Sequence, residues 1–279
     1  MLFYIDPLLT KNEVFFARKA VLSFSNSMSA YKHGNKMHIG SNTLSGYHLI
    51  FTSPIFYELS RRVTSRKFLF ILNSLASAAA NTQFSCKNIK LVPYSPIINP
   101  GIDPHLATWC HESAFDQADE KLFIQSCLSR NLIPLKFTIQ LSVLPPGSFI
   151  QPHTDSVNKL ATIMLYLATE EQQKLTGFGT RFWIDNDFSL GSYKSGMTQQ
   201  ASSFVYDQAS LDWLSKTRYV DSHFGIGTTV LFFRTDHSWH GVQIPVNHVE
   251  SRVSININLV LPDIHQNLYH DFFKLTSHG

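Results

Sequence analysis

The 279-residue chain has little cysteine, no long hydrophobic run and no concentration of one charge. Its three cysteines, Cys86, Cys110 and Cys127, are odd in number and lack the paired spacing of a zinc site. That argues against a disulfide framework, and reduced thiols in a cytoplasmic setting are expected. No apolar stretch reaches the ~20 residues that a bilayer-spanning helix needs, so no membrane partner is expected. The first residues, Met1-Leu2-Phe3-Tyr4-Ile5-Asp6-Pro7, carry no basic segment and meet a charge and a proline too early for a secretory signal. The formal net charge is only +3, without a block of Lys or Arg. Arg61-Arg62 and Arg66-Lys67 read as a solvated helix face, and no nucleic-acid partner is expected.

What is present is core-forming material: 44% hydrophobic residues and 22 phenylalanines. The chain divides by pattern into a mixed region over residues 1–134 and a strand-rich region over 135–279, expected to pack as one structural unit. In the first region, helical periodicity runs over Asn12 to Ser23 and again over Phe56 to Ala80, with Leu69, Leu72, Leu75 and Ala79 on the expected buried face. His48 to Phe51 reads as a short strand. Tyr94 to Pro104 is a loop by its prolines and glycine, and Phe115 to Arg130 a third helix. From Leu135 the period changes to two: Lys136 to Val143, Thr162 to Tyr166 and Arg252 to Val260 alternate, and Thr228 to Phe233 is a near-continuous apolar strand. Asp185 to Gly225, rich in Ser, Gly, Tyr and Asp, breaks this succession. It reads as an insertion with a short helical stretch near Ala209 to Lys216.

Chemistry concentrates in the second region. In a strand, residues two apart face the same way, so His153 and Asp155 present two ligands together while Thr154 points elsewhere. A third ligand is expected beyond the apolar strand Thr228 to Phe233. His240, within Trp239-His240-Gly241-Val242, is preferred there and His237 is the competing candidate. Two imidazoles and one carboxylate form the donor set that holds ferrous iron on one face and leaves other positions open. On the last strand, Arg252, Ser254, Asn256 and Asn258 share a face opposite Val253, Ile255, Ile257 and Leu259. Burying such a polar ladder is costly without partners, and a polar cavity for a small dicarboxylate would supply them, with Arg252 as a bidentate partner for a carboxylate.

These pieces together resemble the iron(II)- and 2-oxoglutarate-dependent dioxygenases, in their prolyl-4-hydroxylase-like branch. The resemblance covers roughly Leu135 to Pro262. It is carried by Pro145-Pro146-Gly147 through His153-Thr154-Asp155, by Thr162 to Leu167, by Gly177 to Trp183, by Gly227 to Phe233, by Trp239 to Val242 and by Arg252 to Asn256. It implies an α+β protein with a mainly β core: a double-stranded β-helix, or jelly-roll, with supporting N-terminal helices. It also implies iron on His153, Asp155 and His240, and 2-oxoglutarate chelating that iron with its far carboxylate on Arg252. Tyr166 takes the place of a family tyrosine that bonds the same carboxylate, and Thr162, Ser254 and Asn256 line the pocket. Two departures stand out: Val143 and Leu144 replace an aromatic hydroxyl often found before the Pro-Gly turn, and the loop from His240 to Arg252 is slightly longer than usual.

The activity so implied is C–H hydroxylation of a small-molecule metabolite, using Fe(II), 2-oxoglutarate and O2 and releasing succinate and CO2. Desaturation and ring formation stay open, whereas a halogenase is disfavoured because Asp155 fills the position that halide would need. The alternatives are protein side-chain hydroxylation and a cupin-like barrel that binds metal without turnover. Arg181 and Arg234 are placed near the barrel mouth, where solvation is the simpler account of each.

Overall fold

Strict alternation turns one face of a strand toward an apolar core and the other toward a polar interior, and two packed sheets satisfy both faces at once. The computed structural model of the chain describes residues 2–30, 35–79, 90–93, 109, 117–155, 159–183, 218–234, 238–246 and 249–261. The expected loop over Tyr94 to Pro104, the helical stretch near Ala209 to Lys216, most of the expected insertion, His237, Cys86 and Cys110 lie outside these residues.

Eight antiparallel strands form the core: β5 (Leu132–Leu144), β6 (Phe149–His153), β7 (Lys159–Leu167), β8 (Arg181–Trp183), β9 (Tyr219–Asp221), β10 (Ile226–Phe233), β11 (His240–Gln243) and β12 (Arg252–Val260). The larger sheet has the order β10-β7-β12-β5, and the smaller one β6-β11-β8-β9. Apart from the β8–β9 pair, each successive strand crosses from one sheet to the other, which is the winding of a double-stranded β-helix. The fold is therefore α+β with a mainly β core. Strands from the first region extend the larger sheet at both edges. There β1 (Leu2–Ile5) pairs with β10, while β3 (Met37–Gly40) joins β5 and carries β2 (Ser29–Ala30) outside it. A further short strand, β4 (Lys90–Pro93), runs parallel to the start of β5.

The outer face of the larger sheet is the apolar one. Val253, Ile255, Ile257 and Leu259 of β12 and Ile139 and Leu141 of β5 are fully buried. They belong to one cluster with Val14, Ala17 and Val21 of α1 (Lys11–Ser23), Ile50 of α2 (Leu44–Phe51) and Phe56, Leu59 and Val63 of α3 (Pro54–Val63). Each such side chain contributes on the order of 2 kcal/mol by leaving water. A second cluster, with Met164, Tyr166, Phe182, Val230 and Phe232, fills part of the space between the sheets.

Helix chemistry explains where the first region departs from expectation. His48 to Phe51 is helical, not a strand, because Thr43 caps the turn by accepting from the Gly46 N–H and Ile50 is drawn into the core. The helix expected over Phe56 to Ala80 is two: α3, and α4 (Arg66–Ala79). Ser65 interrupts them, its hydroxyl donating to the Arg62 carbonyl and accepting from the Phe68 N–H. Pro54 opens α3 at its first turn, where the missing N–H costs nothing. The buried stripe of α4 is Phe68, Leu72 and Ala76, with Leu69 and Leu75 partly buried beside it. The third expected helix is present as α5 (Gln117–Leu128). Among the described residues, no helix is long and apolar enough to cross a membrane.

Candidate metal centre

His153 ends β6 and His240 begins β11, and the two face each other directly in the register of the smaller sheet. Their ring centroids lie 4.3 Å apart. Asp155 follows β6 by two residues, so the turn after Pro145-Pro146-Gly147 fixes where both early ligands fall. Gly147 adopts φ +74°, a left-handed conformation that a Cβ disfavours. One nitrogen from each histidine and one oxygen of Asp155 all lie within 4.8 Å of one another. A single cation with ligand bonds of ~2.1 Å can engage all three after small side-chain rotations. The three expected ligands are thus brought together.

His240 and Asp155 are held by neighbours that suit a metal site. The His240 ring stands against Phe232, with centroids 4.7 Å apart, and its Nδ1–H donates to the Ser238 carbonyl at 2.9 Å. That leaves the Nε2 lone pair for a metal. Burial pushes the His240 pKa down, which keeps the imidazole neutral as a ligand must be. Asp155 is 5% exposed. Burial is the strongest single influence and disfavours its charge, yet Lys159, His240 and His153 together outweigh it and hold the carboxyl well below the usual carboxylate range. Oδ1 accepts from Lys159 Nζ at 2.6 Å and Oδ2 from the Thr162 hydroxyl at 2.7 Å. Thr162, expected as a lining residue of the co-substrate pocket, therefore orients a ligand through this bond. Arg234, expected to be a solvated residue, is buried and donates to the Asp155 backbone carbonyl at 3.2 Å.

At the other end of the interior, Arg252 is fully buried. Its guanidinium donates to the Phe178 carbonyl at 2.6 Å, to Thr180 Oγ1 at 3.2 Å and to Ser254 Oγ at 3.3 Å. The Tyr166 and Phe224 rings flank it at 5.1 and 5.3 Å. The Tyr166 hydroxyl reaches Thr180 at 2.8 Å and Ser222 at 2.6 Å. Gly179 permits this knot, because a Cβ there would strike the Ser222 carbonyl. All hydrogen-bond partners shown for Arg252 are neutral, and no carboxylate among the described residues pairs with it. Burial pushes its pKa down, but a guanidinium stays charged. A buried cation held only by neutral acceptors suits an incoming anion.

Between the two ends, Asn256 pairs across with Met164 and with Gln140, and its Oδ1 is buried with no partner. Three contributors to the interior were not anticipated from sequence: Thr180, Ser222 and Lys36. Lys36 is buried just before β3, and its Nζ donates to Gln140 Oε1 at 2.8 Å. Its signal is visible in retrospect, since Lys36, His38 and Gly40 alternate with Met37 and Ile39. Arg181, by contrast, makes a two-pronged pair with Asp221 at 2.8 and 3.0 Å and stacks on Tyr219. Solvation is not its role.

No family model matches the chain, and no curated protein does. Among solved structures, a prolyl-4-hydroxylase from Pseudomonas putida is similar over 94% of this chain and 92% of its own, at 12% identity and a TM-score of 0.42. A prolyl hydroxylase from Trichoplax adhaerens, in complex with a hypoxia inducible factor oxygen degradation domain peptide fragment, covers 96% and 86% at 11% identity, with a TM-score of 0.47. HygX from Streptomyces hygroscopicus, with nickel and 2-oxoglutarate bound, covers 94% and 83% at 10% identity and a TM-score of 0.47. What this chain can do is carried by its own His153, Asp155 and His240 cluster and by the buried Arg252.

Proposed function

We propose that the protein is a non-haem iron(II), 2-oxoglutarate-dependent dioxygenase that hydroxylates a C–H bond of a small-molecule metabolite. The observation that supports this best is the pairing, inside one barrel, of a two-histidine, one-carboxylate cluster with a buried arginine that meets only neutral hydrogen-bond partners among the described residues. His153, Asp155 and His240 hold the iron. Arg252 takes the far carboxylate of 2-oxoglutarate, with Tyr166 against the guanidinium and Ser254 and Asn256 on the same polar wall. Bound iron, 2-oxoglutarate and O2 supply the oxidation, which yields succinate, CO2 and one oxygen atom for the substrate.

The chain's own groups supply position and environment. The Ser238 carbonyl and the Thr162 hydroxyl fix the orientation of His240 and Asp155, so the open metal positions face a constant direction. Lys159 and Arg234 keep Asp155 charged and its backbone still. Phe182 and Phe232 pack against His240 and exclude water from that side of the metal.

Binding measurements test the assignment. Titrating iron(II) anaerobically, and then 2-oxoglutarate, should show wild-type protein taking up both. His153→Ala should lose the metal, and Arg252→Ala should keep the metal while its affinity for 2-oxoglutarate falls by roughly two orders of magnitude, the cost of removing a charge-assisted pair. Uptake of metal without 2-oxoglutarate by the wild type would identify a metal-binding barrel instead. If both bind, an oxidation screen of metabolites against peptides separates small-molecule from side-chain hydroxylation.

A further inference from the structure

Arg18 of α1 reaches past its own helix to the strand ends that carry Arg252 and Tyr166. Its side chain is 13% exposed. The guanidinium donates through Nη1 to the Leu167 carbonyl at 2.8 Å and through Nη2 to the Ser251 carbonyl at 3.1 Å. Leu167 directly follows Tyr166, and Ser251 directly precedes Arg252. One planar group therefore ties together the backbone beside both residues that the proposed function sets on the far carboxylate of 2-oxoglutarate.

The strand pairing explains why side chains are used there. The ladder between β12 and β7 begins at Ser254–Tyr166, so on that side Ser251 and Arg252 lie beyond its last rung. On the other side β5 continues, with Leu144 opposite Arg252. Gln172, 2% exposed, completes the arrangement. Its Nε2 donates to the same Ser251 carbonyl at 3.0 Å, and its Oε1 accepts from Arg18 Nη1 at 3.3 Å. Glu250 meets Arg18 from the exposed side at 3.4 Å and also accepts from the Thr169 hydroxyl at 3.1 Å. The Ser251 carbonyl thus receives two side-chain donors, one from α1 and one from the segment after β7. Covering an apolar sheet face calls for neither of them.

Resting on the dioxygenase reading, we propose that Arg18 is a positioning residue of the co-substrate site. By holding the Leu167 and Ser251 carbonyls it sets the placement of Tyr166 and Arg252, and through them the affinity for the far carboxylate. The helix α1 then serves the site as well as covering the larger sheet.

Two keto acids read the effect. The full chain loaded with manganese(II) is titrated by calorimetry with 2-oxoglutarate and with 2-oxobutyrate, which lacks the far carboxylate. Arg18→Met is expected to weaken 2-oxoglutarate roughly 10-fold, as for a binding group misplaced by a remote change, while 2-oxobutyrate and manganese bind as in wild type. Arg18→Lys keeps the charge but cannot grip both carbonyls in one fork, so its 2-oxoglutarate affinity should fall between the two. This variant decides the matter if Arg18→Met does not fold. In an Arg252→Met background, Arg18→Met should cost less than it does alone, because the main group it positions is gone. Wild-type 2-oxoglutarate affinity in Arg18→Met, or in Arg18→Lys, overturns the proposal. Equal weakening of both keto acids overturns it too, because that marks a general loosening of the barrel. So does a loss from Arg18→Met that is undiminished in the Arg252→Met background. A wild type that binds neither keto acid defeats the dioxygenase reading itself and this proposal with it.

Discussion

Thr162 illustrates how single residues set this site. Its hydroxyl is the neutral partner of Asp155, opposite the charged Lys159. Thr162→Val keeps shape and removes the bond, so metal affinity should fall about 10-fold with little loss of stability, read by competition with a chromophoric chelator. Arg252 was legible in the sequence because a charged residue headed a clean alternation. Lys36 was not, because its alternation spans only a few residues and its partner Gln140 lies 104 positions away. The bond from Thr162 to Asp155 was not legible for a related reason. The pattern gives the face on which a side chain lies, but not which end of the cavity it serves.

At the scale of elements, the joint between α1 and α3 carries a measurable pH dependence. Thr10 and Glu13 form a capping box on α1, and Glu13 also receives Arg62 of α3 at 2.6 Å. The Arg62 guanidinium, with the Thr10 N–H, holds the Glu13 carboxyl down at about 2. A carboxyl lowered on folding adds stability above its ordinary value near 4.5, and that stability drains away as pH falls toward 2. The pair is partly exposed, so solvent screening leaves it about 1 kcal/mol. Urea unfolding of wild type and Arg62→Met should therefore differ at pH 7 and converge toward pH 2.5.

The turn before the metal cluster makes a second prediction at this scale. Gly147 sits at φ +74°, so Gly147→Ala should cost about 1–2 kcal/mol and loosen the placement of His153. Thermal unfolding reads the first effect and metal titration the second. The four barrel strands of the larger sheet were readable from sequence, three by period two and Thr228 to Phe233 as an apolar run, whereas β9 lies inside the stretch that reads as an insertion. His48 to Phe51 misled because four apolar-rich residues carry no period, and there a cap at Thr43 and packing of Ile50 decide for helix.

For the whole molecule, β1 and β3 are the telling additions, because they join the larger sheet at opposite edges. Residues 1–134 are therefore proposed to fold with the barrel as one unit, as their sheet pairing and shared apolar cluster favour. A single coincident transition by circular dichroism and tryptophan fluorescence is expected on urea unfolding, and two separated transitions would contradict it. The central claim is that this barrel couples 2-oxoglutarate to dioxygen at His153, Asp155 and His240. Its most direct test is succinate formation when air is admitted to anaerobic protein carrying iron(II) and 2-oxoglutarate. The account predicts succinate that requires both iron and O2 and that falls at least ~100-fold in Asp155→Ala and Arg252→Ala, as for loss of a ligand or an anion clamp. Wild type that binds both partners yet forms no succinate, or Asp155→Ala that forms as much as wild type, would contradict it.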